Sequence, residues 1–236
     1  MLVGSGILYC VVNWRNAPAY SLSRLFTQKI NNIAPLPNTF NVKNTTALLQ
    51  KLQDTPMAPH FTLASLDITN LYSNIPVLET KTILKDTLAY HQIDPQTQEE
   101  LIMWYDVITR QNYFIHKHGI ISHHDGLAMG APSSGLIAEF FLQHTENTHL
   151  ARLSHKHRII DYFRYEDDIL LIFDPNHSDT QSILTHFNAL HPNLHFTAEV
   201  ERDNTINYLD ISIHKTPHEL KASIYRKPTF TDSIIP

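Results

Sequence analysis

The chain has 236 residues, 42% of them hydrophobic and 17% charged, which is enough to bury a core in one or two domains. Its formal net charge of −5 excludes the bulk positive field that would advertise a polyanionic partner, though a local basic groove is compatible with it. The single cysteine, Cys10, excludes an internal disulfide framework and fits a reducing compartment, and no apolar run reaches membrane-spanning length.

The opening MLVGSGILYCVV is apolar without the basic lead of a signal peptide, and reads as a strand pair or a fragment edge. NAPAYSLSRLFTQKI predicts a helix with Leu22, Leu25 and Phe26 on one side. A Pro/Asn-rich loop and a short helix through Leu48, Leu49 and Leu52 follow. HFTLASLDI (60–68) predicts a strand ending near Asp67, with Phe61 and Leu63 alternating and Leu66 joining after a slip. Residues 77–91 and 95–110 predict two amphipathic helices, the second striped by Leu101, Trp104, Tyr105 and Ile108.

NYFIHKHGII predicts a hairpin with Gly119 near its turn. GAPSSGLIAEFFLQHTENTHL opens a helix with Pro and two serines, then sets Leu136, Ile137, Phe140 and Phe141 on one face. Strands are expected around an acidic pair within 159–173. A capped helix at 179–190 buries Ile183, Leu184, Phe187 and Leu190. The tail alternates through LHFTAEV, the turn ERDNT, NYLDISI and KASIYRK. The sum is an α+β chain with an antiparallel sheet packed on helices, without internal repeats. Of its 16 histidines only HKH (116–118) and HHD (123–125) are dense. No ligand set at zinc spacing follows them, so they read as a solvated loop.

Three stretches combine into candidate chemistry. SLDITNLYSNIP puts Asp67 at a strand end, with Tyr72 five residues on. GLAMGAPSSG carries Gly126 and Gly130, which let backbone approach a ligand closely before a helix begins. FRYEDDILLIF sets Glu166, Asp167 and Asp168 against the apolar run Ile169–Phe173. Side chains alternate along a strand, so Asp167 and Asp168 cannot both face inward from a regular one. A tight bend at its edge would turn at least one carboxylate to a cleft, where crowded acids need a partner, most simply a cation. Asp67 lies 100 positions before Asp167, yet adjacent central strands could unite them. Three carboxylates suit two hard divalent ions, one activating a hydroxyl and the other stabilising leaving phosphate oxygens. On spacing alone, solvated turn carboxylates are an equal alternative, Tyr72 by itself is more often a core or rim aromatic, and the AMGAP glycine is as readily a plain tight turn.

LDITNLYSNIP, GLAMGAPSSGLIAEFFLQHTE, FRYEDDILLIF, FTAEVERDNTINYLDISI and YRKPTFTD, in this order and spacing, closely resemble the reverse transcriptases of Penelope-like retroelements. The resemblance runs from VVNWRNAPAY to the end of the chain. It implies the palm of a right-hand polymerase with part of the fingers: residues 1–60 as a partial fingers segment, 61–236 as palm, thumb and GIY-YIG endonuclease absent. It implies RNA-directed DNA polymerase activity with two Mg2+ ions, or Mn2+, using deoxynucleoside triphosphates on a primed RNA or DNA template. Asp67, Asp167 and Asp168 match the catalytic, metal-binding acids, with the Ile68 backbone as a further metal ligand. Ile68 to Leu71 match the amides that hold the triphosphate, and Tyr72 the residue that stacks under the sugar and rejects a 2′-hydroxyl. Gly130, Ala131 and Pro132 match the segment against template and incoming nucleotide, and NYLDISI matches the primer grip. No membrane is implied; the location would be intracellular, and nuclear for a working retroelement enzyme.

The chain departs from the family pattern at three places. Tyr9-Cys10 replaces an Arg-Pro whose arginine touches the triphosphate, a contact that Arg15 or Lys43 could supply only if the fold brings either close. His123 replaces a glutamine near the nascent base pair, and Glu166 stands where a small or apolar residue is usual. Lys215, Arg226 and Lys227 read equally as backbone contacts or as a solvated strand face. Two other function classes remain in view: a decayed palm with at most weak nucleic-acid binding, and a metal-dependent nuclease or phosphatase on the same acids.

Overall fold

Element boundaries follow the apolar periodicity of the chain, because each helix or strand has one face that water must leave. The computed structural model describes residues 3–4, 7–8, 14–111, 113–116, 119–122, 125–217 and 219–226. In chain order come a short antiparallel pair, β1 (Val3–Gly4) and β2 (Ile7–Leu8), then α1 (Tyr20–Ile33) and α2 (Thr45–Asp54). β3 (Thr62–Ile68) leads into the single turn α3 (Leu71–Asn74), then α4 (Val77–Tyr90) and α5 (Pro95–Thr109). The hairpin β4 (Tyr113–His116) and β5 (Gly119–Ser122) precedes the long α6 (Ser134–His157). β6 (Ile159–Tyr165), β7 (Asp168–Phe173), α7 (Thr180–Asn188) and β8 (Phe196–Val200) follow. β9 (Thr205–Tyr208), β10 (Ile211–Lys215) and β11 (Leu220–Ile224) complete the described chain. This is an α+β architecture of antiparallel sheets and helices.

Helix starts are set by side-chain caps. The carboxylate or amide oxygens of Asn44, Asp94 and Asp179 accept the N–H groups of Ala47, Thr97 and Ser182 at 2.8–2.9 Å, and Pro95 occupies the first turn of α5.

Two compact units interleave along the chain: Met1–Pro37 with Asn70–Thr148, and Asn38–Thr69 with His149–Pro236. In the first, α1, α4 and α5 pack around Phe26 and Tyr105, whose rings meet edge-on at 6.3 Å. The Tyr105 hydroxyl donates to the Val77 carbonyl at 2.8 Å, which satisfies a polar group inside the core. The expected α1 stripe is shifted. Ser23, Phe26 and Ile30 are buried and Leu25 is 53% exposed, because Ser23 shares buried hydrogen bonds with the hydroxyl and N–H of Ser133.

In the second unit, four antiparallel strands run in the order β6-β7-β3-β8, and a separate three-stranded sheet runs β11-β10-β9. β3 buries Leu63, Ala64, Leu66 and Ile68, so it is covered on both faces and the expected slip does not occur. One face of the larger sheet (Leu63, Phe163, Leu170, Ile172) joins Leu48 and Leu52 of α2 and Ile206, Tyr208, Ile211 and Ile213 of the smaller sheet in one cluster. On the other face Phe187 of α7 meets Phe196 edge-on at 5.4 Å and stacks with Tyr162 at 6.4 Å. NYLDISI is not one strand: Leu209 takes a left-handed φ of 54°, and Tyr208 pairs with Ile211 across the resulting hairpin tip. Among the described residues no helix is long and apolar enough to cross a membrane.

Gly126 marks a position where no side chain fits. Its φ is 81°, and an added Cβ would stand 2.4 Å from the Ser73 carbonyl oxygen. Gly126→Ala is therefore expected to lower stability in urea unfolding by at least about 1–3 kcal/mol, the usual cost of such backbone strain. At Gly135 the nearest atom to an added Cβ is 4.0 Å away, so Gly135→Ala in α6 is expected to change stability in the opposite direction.

Candidate active site

The FRYEDD stretch forms the tip of the β6–β7 hairpin. Tyr165 pairs with Asp168, and Glu166 and Asp167 form the two-residue turn between them. Glu166 takes a left-handed φ of 53°. The register between β3 and β7 sets Asp67 directly opposite Asp168. Ile68, one step on, donates its N–H to the Asp167 carbonyl at 3.0 Å. Hydrogen-bonded and open positions alternate along an antiparallel ladder, so Asp67 and Asp168 occupy an open one, where Cα atoms approach to about 4.5 Å and side chains share a face.

Asp67, Ile68, Asp167 and Asp168 are thus gathered at one end of the central strand pair. Ile68 buries its side chain, so only its backbone could serve a ligand. The Asp67 carboxyl is held above its ordinary pKa, first by partial loss of water beside the strands and second by the negative charge of Asp167. A carboxylate repelled in this way favours a proton or a cation. Among the described residues, however, no group of three or more His, Cys, Asp or Glu side chains is drawn together closely enough to hold a metal ion.

A cleft of about 540 Å³ opens beside the pair. Asp67 and Asp168 line it with Thr197 and Glu199 of β8 and Asn207 to Leu209 of the β9–β10 tip. The Tyr208 hydroxyl donates to the Asp168 carbonyl at 2.9 Å. Burial, and then the negative charge of Asp168, push the Tyr208 pKa far up, so the phenol stays a donor at any physiological pH. Sequence reasoning named Tyr208 only as part of a block and passed over Arg164, a fully buried guanidinium in β6. The available signal was a charged residue inside an apolar strand run, which requires buried partners.

The other expected site residues lie in the first unit. Tyr72 sits in α3, and its carbonyl accepts the Leu127 N–H at 2.7 Å. Gly130, Ala131 and Pro132 form the turn before α6; the Gly130 and Ala131 N–H groups bond back to the Ala128 carbonyl. Gly126 allows close approach to the Ser73 backbone. Lys215 is no solvated strand cation. It is largely buried, paired with Glu201, and donates to the Phe61 carbonyl at 2.6 Å. Tyr9, Cys10, His123 and Lys227 lie outside the described residues, as do the side chains of the HKH and HHD histidines.

Two outcomes follow from this geometry. Asp67→Asn is expected to raise the thermal midpoint at pH 7, where ionised Asp67 and Asp167 repel. A raised folded-state pKa means the native protein gains stability as pH falls through that pKa, so the gap should close on acidification, as wild-type Asp67 takes up its proton. Tyr208→Phe removes a buried donor from the Asp168 carbonyl and is expected to cost about 1 kcal/mol in chemical unfolding.

No protein-family model matches the sequence, and no curated protein matches it. Solved structures do match the fold. The telomerase of Candida albicans, solved with a fragment of telomeric RNA, superposes with a TM-score of 0.65 at 11% identity, covering 93% of this chain and 41% of its own. An apo telomerase of Candida tropicalis gives 0.61 at 12% identity, covering 89% and 46%. The RNA-dependent RNA polymerase of a human picobirnavirus gives 0.53 at 14% identity, covering 82% and 36%. The chain spans less than half the length of each, and its fold is the palm-like fold of right-hand polymerases.

Proposed function

We propose that the chain is the fingers-and-palm part of an RNA-directed DNA polymerase of the Penelope-like type, with a partial fingers segment in 1–60 and the palm in 61–236. The observation that carries this reading is the opposition of Asp67 and Asp168 on adjacent central strands, with Asp167 at the tip beside them. The mutual repulsion of Asp67 and Asp167 fits a site completed by divalent cations. Mg2+ keeps few protein ligands and takes the rest from water and substrate phosphates, so acids not drawn into a closed cage are compatible with it. Asp67, Asp167, Asp168 and the Ile68 carbonyl would hold two such ions. When bound, these lower the pKa of the primer 3′-hydroxyl and offset charge on the departing pyrophosphate.

The protein's own part is placement. The Ile68 N–H anchors the Asp167 backbone, and the Tyr208 hydroxyl anchors that of Asp168. The Asn207–Leu209 tip lines the same cleft, where the resemblance puts the primer end. The same resemblance assigns Tyr72 to the sugar of the incoming nucleotide, and Gly130, Ala131 and Pro132 to its base pair. The fold alone does not choose the product, since RNA-dependent RNA polymerases share it. The ordered motif blocks favour DNA.

Primer extension on oligo(dT)-primed poly(A), with Mg2+ or Mn2+, tests the reading. Incorporation of dTTP in preference to UTP is expected, and Asp67→Ala and Asp167→Ala should each abolish it. No extension at micromolar protein would favour a second reading, a catalytically silent palm. Template cleavage without incorporation would indicate a nuclease.

A further inference from the structure

Arg164 is fully buried, and a charge in that position persists only if its hydrogen bonds are met. Its backbone N–H and carbonyl are both held by the segment before α2. The Arg164 N–H donates to the Phe40 carbonyl at 3.0 Å, and its carbonyl accepts the Val42 N–H at 2.7 Å. With that backbone fixed, the guanidinium Nη1 reaches forward and donates to the Glu166 carbonyl at 3.0 Å. The Glu166 carbonyl belongs to the peptide just before Asp167. The Asp167 carbonyl belongs to the peptide just after it, and the Ile68 N–H holds that one. Both peptide planes flanking the Asp167 Cα are therefore pinned, and two pinned planes fix φ, ψ and the direction of the Cα–Cβ bond. The tip needs such restraint. A glutamate at φ 53° is in a region few non-glycine residues occupy, and it stays there only when its surroundings over-determine it.

We propose that Arg164 is a positioning residue that holds the hairpin tip in this left-handed conformation and so aims the Asp167 carboxylate at the space beside Asp67. The inference rests on the reading that these acids bind divalent cations, and it adds the device that sets their geometry.

The test is Mn2+ binding to the full chain, followed by loss of the free-ion electron paramagnetic resonance signal, for wild type and variants whose fold is checked by circular dichroism. Arg164→Met is expected to weaken binding by about 10-fold or more, as loss of a group that orients metal ligands commonly does. Arg164→Lys, which keeps the charge but not the planar fork, should weaken it less, and covers the case of a methionine variant that does not fold. Adding Glu166→Gly to either variant should recover part of the loss, because glycine holds a positive φ without restraint. A merely structural arginine would not be rescued at that position. Wild-type affinity in a folded Arg164 variant, or no recovery on adding Glu166→Gly, overturns the positioning role alone. Failure of the wild type itself to bind Mn2+ overturns the metal reading beneath it.

Discussion

The register between β3 and β7 is the constraint on which the rest depends. Asp67 and Asp168 face each other only because Leu63, Ala64, Leu66 and Ile68 on one strand, and Ile169–Phe173 on the other, are buried from both sides. A slip of one residue would reverse every side chain on the strand and carry Asp67 to the opposite face. The apolar ladder thus fixes the acids to within a residue. It also supplies the burial free energy that tolerates two carboxylates at its end, where like charges directly opposite are destabilising.

Around the acids, the second unit places groups that bind their backbone. Ile68 and Arg164 bond to the two carbonyls that flank the Asp167 Cα, and Tyr208 bonds to that of Asp168. Backbone carbonyls held in this way fix the direction of the Cα–Cβ bonds between them. The net charge of −5 says little about this local arrangement. Lys215, which by composition counts toward a nucleic-acid partner, is consumed by a buried pair with Glu201.

Two kinds of information lead to the right-hand polymerases, and they are different in nature. Motif order and spacing record the types of side chain along the chain. Backbone superposition, at 11–14% identity in the telomerases and the viral polymerase, records how the chain is routed. Routing is shared by enzymes with different templates and products, so it narrows the fold and leaves the chemistry to particular residues.

Periodicity and caps were legible from the sequence alone. α4, α5, α6, α7 and the β4–β5 hairpin fall where apolar spacing, Pro95, Asp179 and Gly119 put them, because these signals act within a few residues of themselves. The three acids were legible as a set, from their chemical type beside apolar strands. Tertiary structure alone decided what joins them. It set Asp168, 101 positions away, as the strand partner of Asp67, the break of NYLDISI at Leu209, the buried face of α1 around Ser23, and the burial of Arg164 and Lys215. These outcomes depend on which surfaces meet in space, and a local pattern carries no record of its distant partner. A serine, an arginine or a lysine is buried only when that partner completes its hydrogen bonds.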